Sequence, residues 1–337
     1  MLYRTLSAVA LSAAALMGVA TPAAAEMQEI HAAKQYGISY LGLLVMEDHK
    51  LFEKHAKAAG LGDVKVVWST FSGGSVMNDA LLSGNLQFAS GGVGPFATIW
   101  AKTHGNIDVK GVCAMNAMPL YLNTRDPNVK SIADFTDKDK IALPAVKVSI
   151  QAVTLQMAAA KMWGDANAFK LDHLTVSMSH PQGMISMLSG QGEITAHLTS
   201  PPFQYQELKD KNIHRVFSSF DVIGGPATFN VITATTKFHD ENPKTYKAFF
   251  DAFKEATEWI NSHKREAAEV YLKMSKDKRA TVESIMEILD DPDVSFTITP
   301  HNVMTYVNFM HKIGSIKVAP ASWKDMFFQS AQDLKGS

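Results

Sequence analysis

Between Ile30 and Ala234 short apolar runs alternate with helical stretches that stop at glycine, and this alternation restricts the fold more than any other feature. Ile30–Tyr36, Val64–Trp68, Leu86–Ala89, Val109–Cys113, Lys140–Leu143, Leu174–Ser177, Thr195–Leu198, Arg215–Phe217 and Phe229–Ala234 read as strands. Between them Leu51–Ala59 stops at Gly60, Val76–Leu82 at Gly84, Ser149–Trp163 at Gly164 and Met184–Leu188 at Gly190. Ser149 is placed to cap its helix. The alternation predicts α/β layers with largely parallel sheets.

The last hundred residues follow another pattern. Asn242-Pro243 opens a helix with proline at its first position. Phe249, Phe250, Phe253, Ala256, Trp259 and Ile260 then share one face, which reads as a core stripe. Further helices are expected at Lys264–Met274, Thr281–Leu289, Pro300–Ile313 and Ser322–Leu334, a helical cap on a sheet domain. Leu81-Leu82-Ser83-Gly84-Asn85-Leu86 is echoed by Leu188-Ser189-Gly190-Gln191-Gly192-Glu193-Ile194, each a helix end, a turn and then a strand. Two matched α/β halves facing each other would produce this echo.

The first 25 residues differ again. Arg4, an apolar small-residue run from Leu6 to Ala20, and Ala23-Ala24-Ala25 have the layout of a secretory signal peptide, with cleavage expected after Ala25. The expected mature chain has 337 − 25 = 312 residues, ample for a large core. With 32 basic and 33 acidic residues, no charge excess marks a nucleic-acid surface. Cys113 is the single cysteine, so neither an internal disulfide nor a cysteine-based zinc site is available.

Gly92-Val93-Gly94-Pro95-Phe96-Ala97 matches G-x-G-x-x-A after a strand. Its position deep in the chain, Pro95 and the lack of an acidic residue about 20 residues on argue against a dinucleotide. Trp68-Ser69-Thr70-Phe71-Ser72-Gly73-Gly74-Ser75 is a second glycine- and hydroxyl-rich loop after a strand, whose Thr70 or Ser75 is also placed to cap the next helix. His49, Glu53 and His55 read as a solvated helix face, and no H-E-x-x-H is present, so no metal is expected. G-x-S-x-G is absent, Cys113 reads as a buried strand residue, and no spacing selects a triad, so no catalytic residues are expected. His180 and His197 lie near loops.

Gly37-Ile38-Ser39-Tyr40, Phe71-Ser72-Gly73-Gly74 and Ser83-Gly84-Asn85-Leu86-Gln87-Phe88-Ala89-Ser90-Gly91-Gly92, in this order in an exported two-lobed chain, resemble periplasmic solute-binding proteins of ABC importers. The resemblance is to the nitrate, sulfonate and taurine class. Ser131-Ile132-Ala133-Asp134-Phe135 and Phe238-x-x-Glu241-Asn242-Pro243 fit it as well. It departs at Ala142–Ser149, where the family has a loop rich in glycine and serine. Lys147 there stands either toward a substrate anion or toward solvent. No arginine falls in a predicted cleft loop, since Arg125 and Arg215 lie elsewhere.

The resemblance implies a two-lobed type II periplasmic-binding-protein fold: 26–119 with 226–337 as lobe 1, and 120–225 as lobe 2. The chain would cross between them near Met118–Asn123 and Val222–Phe229. Ligand-binding candidates are Ser39, Tyr40, Thr70, Phe71, Ser90 and Gly91 in lobe 1, and Ser149, His197, Thr199 and Ser200 in lobe 2. The implied function is capture of a small organic molecule, an anion such as a sulfonate or carboxylate, by a periplasmic monomer that delivers it to an inner-membrane ABC permease. No cofactor and no nucleic-acid partner are expected. The alternatives are an enzyme on the same fold related to thiamine-pyrimidine synthesis, and an adaptor presenting ligand to a membrane receptor.

Overall fold

The computed structural model describes residues 26–337, so the expected leader and its cleavage point lie outside the described residues. Strand β1 (Glu29–Lys34) runs parallel to β2 (Lys65–Thr70), with Lys34 beside Thr70 at their carboxyl ends. Helices α1 (Leu41–His49) and α2 (Leu51–Ala58) connect them. Helix α3 (Gly74–Leu82) returns the chain to β3 (Ala89–Gly92), and α4 (Val93–Thr103) leads on to β4 (Val109–Ala114). The expected strand at Leu86–Ala89 starts only at Ala89. Ahead of it the Gln87 side chain accepts the His31 N–H at 2.7 Å, and Ala32 bridges Phe88.

After the short β5 (Asn116–Ala117) the chain enters a second sheet. Its strands are β6 (Tyr121–Thr124), β7 (Ile141–Leu143), β8 (Thr175–Ser177), β9 (Ala196–Thr199) and β10 (His214–Ser218), in the order β10-β6-β9-β7-β8. Helix α5 (Ile150–Trp163) is buried on most of its circumference, as expected of a helix apolar nearly all round. Ser149 caps it, accepting the Ala152 N–H. Helices α6 (His180–Ser189), α7 (Phe203–Glu207) and α8 (Ser219–Ile223) complete this lobe, α6 ending at left-handed Gly190.

Strand β11 (Asn230–Thr235) then returns to the first lobe and inserts between β3 and β4, antiparallel to both. The sheets are therefore mixed rather than largely parallel. β1–β2, β7–β8 and β7–β9 are parallel, whereas β10–β6 and β6–β9 are antiparallel. The departure arises where the chain passes between lobes, because a strand arriving from the other lobe has no helical crossover to orient it.

Helices α9 (Thr236–Glu241), α10 (Pro243–Ser262), α11 (Lys264–Ser275) and α12 (Val282–Leu289) cover the first lobe, followed by β12 (Ser295–Phe296), α13 (Val303–Lys312) and α14 (Gln329–Gln332). The α10 stripe is core: Phe249, Phe253, Ala256 and Ile260 are buried, and Phe249 stacks on Phe88 with centroids 3.7 Å apart. The helix expected over Ser322–Leu334 is broken. A short turn at Trp323–Met326 gives way to extended Phe327 before α14. Phe327 is buried against Gly111, where a Cβ would lie 2.5 Å from its ring. Tertiary packing of one aromatic side chain there overrides the helical pattern.

Candidate ligand-binding site

The two lobes meet where helix starts face each other. The Gly92–Gly94 entry to α4 lies against the entry to α5, and a Cβ on Gly94 would sit 2.9 Å from the Val148 carbonyl oxygen and 3.2 Å from the Ile150 nitrogen. The G-x-G-x-x-A motif is thus a close-approach surface between lobes. Its Val93 N–H already donates to Phe229 O at 3.0 Å. A second tie runs from Ile38 N–H to Pro201 O at 3.2 Å.

Beside these contacts lies a narrow gap with space for about one water molecule. Lobe 1 contributes Gln35, Tyr36, Tyr40 and Asn230, and lobe 2 contributes Gln151 and His180. Asn230 is 1% exposed; its amide nitrogen donates to the Tyr40 hydroxyl at 3.0 Å, and its Oδ1 has no partner among the described residues. A buried acceptor without a partner costs about 1–3 kcal/mol, so a ligand that satisfies Asn230 recovers that cost. Burial pushes the Tyr40 phenol well above its ordinary value, outweighing the Asn230 bond, so its O–H stays protonated as a donor. No lysine or arginine lines this gap among the described residues.

A larger cavity of about 470 Å³ adjoins it, with Gln35 and Tyr36 lining both. Its walls include Leu44, Met184 and Phe203, and its rim includes Lys276, Lys278 and Arg279 from the turn after α11. The sequence reading placed no arginine in a cleft loop. Arg279 escaped it because the turn belongs to the C-terminal helices and reaches the cleft only through folding. Lys34 lines the same cavity and is paired with Glu47.

The ten sequence candidates fall into separate places. Tyr40 and Ser149 line the gap, although the Ser149 hydroxyl is engaged in capping and in donating to Ala145 O at 2.7 Å. Thr70 lines the larger cavity. The Ser90 hydroxyl donates to Ala33 O, and Gly91 lies against Gly74. Ser39 and Ser200 are buried, with hydroxyl oxygens that have no partner among the described residues. Phe71 packs with Met77, Leu81 and Leu86 in a satellite core, because only alternate residues of β2 and its loop face the cleft. Thr70 and Ser75 do not cap α3, whose N-cap is Gly73. Lys147 is exposed, and its charge acts on Asp172 rather than in either cavity.

His197 is enclosed in the lobe 2 core, fully buried. Its Nδ1 lies 2.6 Å from Glu207 Oε1, and its Nε2 lies 3.3 Å from His180 Nδ1. Thr199 Oγ1 is 2.9 Å from the same His180 nitrogen. His180 carries this buried chain to the gap, where Gln151 meets its Nε2 at 3.2 Å. Burial, reinforced by His197, holds the His180 imidazole well below its ordinary value, so it is neutral at physiological pH.

Asn230, Gln151 and Gln35 were not selected from the sequence. The available signal was a polar residue at the very end of an apolar strand or in the first turn of a helix. The described residues hold no cluster of three or more metal-ligating side chains, and His55 is instead 2.6 Å from Glu255. Cys113 is buried in β4, and burial pushes its thiol up, away from thiolate chemistry.

The model of the NMT1-like family matches residues 36–274, which include strands of both lobes and every residue of the gap except Gln35. The chain belongs to the NMT1-like family. No curated protein matches its sequence. Among solved structures, this NMT1-like chain is similar to the alkanesulfonate-binding protein SsuA from Xanthomonas axonopodis pv. citri bound to MOPS, at 15% identity over 88% of this chain and 96% of that one, with a TM-score of 0.66. SsuA from Escherichia coli is 17% identical, covered 92% and 94%, with a TM-score of 0.64. The nitrate-binding protein NrtA from Synechocystis PCC 6803 is 14% identical, covered 92% and 90%, with a TM-score of 0.67. At these identities the likeness shows the fold: a two-lobed periplasmic-binding-protein fold, in agreement with the resemblance read from the loop motifs.

Proposed function

We propose that this NMT1-like chain is an extracytoplasmic solute-binding protein. It captures a small organic molecule between its lobes and delivers it to an inner-membrane ABC permease. The observation that carries this reading is the gap itself: it is lined from both lobes, and it holds a buried acceptor, Asn230 Oδ1, that the described protein leaves unpaired. Contacts with both lobes at once are what let a ligand favour the closed arrangement. The neighbours named above are binding proteins, which favours capture over turnover, and no described helix is long and apolar enough to cross a membrane. We place the lobe boundaries at 26–119 with 226–337 and at 120–225, and the protein in the periplasm as a monomer after cleavage at Ala25.

The test is to purify the chain from its native host without denaturation, unfold it, and identify the released small molecule by mass spectrometry. One solute should be recovered in near-stoichiometric amount and rebind unchanged. At 100 times its dissociation constant it should stabilise the fold by about 2.7 kcal/mol. Recovery of a chemically altered compound, or rebinding unaffected by Asn230→Leu, overturns this reading.

A further inference from the structure

We infer that the buried chain Glu207–His197–His180 fixes the sense in which Gln151 meets the solute: Gln151 presents its carbonyl oxygen to the gap, and the end of the solute held there carries N–H or O–H donors. This rests on the solute-capture reading and deepens it.

A carboxylate only accepts, so Glu207 Oε1, 2.6 Å from His197 Nδ1, keeps the His197 proton on Nδ1 and leaves a lone pair on its Nε2. The Gln151 amide nitrogen lies 3.2 Å from His180 Nε2. His197 Nε2, a lone pair, lies 3.3 Å from His180 Nδ1, so the His180 proton is on Nδ1 and its Nε2 carries the lone pair that takes a Gln151 N–H. That Nδ1–H faces Thr199 Oγ1 at 2.9 Å and His197 Nε2 at 3.3 Å. Asn123 Nδ2 donates to the other Glu207 carboxylate oxygen at 2.9 Å. Every donor in the chain points toward the one buried carboxylate.

Without an added proton, reversal sets the lone pairs of His180 Nδ1 and His197 Nε2 against each other at 3.3 Å. His197 would have to become an imidazolium and donate outward, His180 would carry its proton on Nε2, and Gln151 would turn its amide over. Of the groups that face the chain from β6, β9, α5, α6 and α7, only His180, His197 and Glu207 titrate; Asn123, Gln151 and Thr199 do not. Burial that disfavours charge on His180 favours the neutral arrangement.

The consequence appears in the gap lining. Gln151 gives one N–H to His180, which leaves its oxygen, beside the second N–H, for the solute. Across the gap Asn230 Oδ1 is a second acceptor without a partner among the described residues, and the Tyr40 hydroxyl between the lobes adds a donor. A carboxylate or sulfonate inserted here accepts only, and would leave both amide oxygens unpaired with no lysine or arginine beside it. A carboxamide, amidine or amino-substituted ring supplies the donors. An anionic end is accommodated outward, in the larger cavity rimmed by Lys276, Lys278 and Arg279.

The test is NMR on the full mature chain with ¹⁵N-labelled histidine and glutamine. His180 and His197 are assigned with His180→Gln and His197→Gln. At pH 7 both imidazoles should be neutral with the proton on Nδ1, and a coupling should connect Gln151 Nε2 to His180 Nε2. An Nε2-protonated or cationic His180 overturns the inference. The chain is then titrated with benzamide and, separately, with benzoate. Gln151 and His180 signals should move at a benzamide concentration at least tenfold below that needed for benzoate. Equal or reversed order, or no movement with either, overturns the donor preference. The solute-capture reading is judged separately, by whether a native small molecule is recovered from the purified protein.

Discussion

The two lobes hold their centres together by opposite means. In lobe 1 the centre is aromatic: Phe88 and Phe52 pack against Phe249 of α10, and Tyr246 of the same helix adds a fourth ring near Phe88. In lobe 2 the middle strands β6 and β9 carry Asn123 and His197 into the core, where Glu207 and His180 close a buried polar chain. An aromatic core is stabilised by area removed from water and has no preferred sense. A buried polar chain is costly unless every member is paired, but it is directional, and here it ends at the ligand gap. Lobe 1 thus brings Tyr40 and Asn230 to the gap on an aromatic base, while lobe 2 ties its gap residues to a buried polar chain.

The sharpest test of this contrast is Phe249→Ala, which should cost about 3–5 kcal/mol in urea unfolding without altering the histidine tautomers. A change in those tautomers would break the separation between the lobes. Glu207→Gln keeps the volume but sets an amide nitrogen against Asn123, and should cost roughly 1–3 kcal/mol in the same assay. A neutral effect would mean that the chain is not anchored by a carboxylate. Gly94→Val puts a side chain against Val148 and Ile150 and should hold the lobes apart. The radius of gyration from X-ray scattering should rise, at a cost of about 1–3 kcal/mol in unfolding, since the added side chain presses on Ile150 of the buried core.

The smallest effect expected is that of pH. His180 is held below its ordinary value of 6.5 in the fold, so the unfolded chain binds a proton that the folded one refuses. Stability therefore falls as pH drops through 6.5, by about 0.7 kcal/mol between pH 7 and pH 6. His180→Gln should remove that slope; an unchanged slope would assign it to another group.

Much of the fold was legible in the sequence. The alternation gave eight of nine strands close to their observed positions, Ser149 gave the start of α5, and the α10 stripe gave the lobe 1 core. These features depend on periodicity and capping, which act over a few residues. The break at Phe327 and the antiparallel entry of β11 were not legible, because each depends on a partner far away in the chain, Gly111 in one case and β3 with β4 in the other.

The site divides along the same line. Loop chemistry pointed to Tyr40 and Ser149, both of which line the gap. It also gathered Phe71 and His197, whose side chains turn inward. Asn230 and Gln151 looked like ordinary strand and helix residues until folding left one amide oxygen unpaired and tied the other amide to a buried imidazole.

By itself, the sequence determined the order and type of most elements and the family pattern of its loops, because local backbone preference and hydrophobic period are written residue by residue. Only the tertiary structure decided which polar groups face the gap, that Arg279 reaches the cleft, and that a carboxylate in α7 sets the hydrogen-bond sense of an amide in α5. Those are properties of distance and burial between segments far apart in the chain, on which local pattern carries no information.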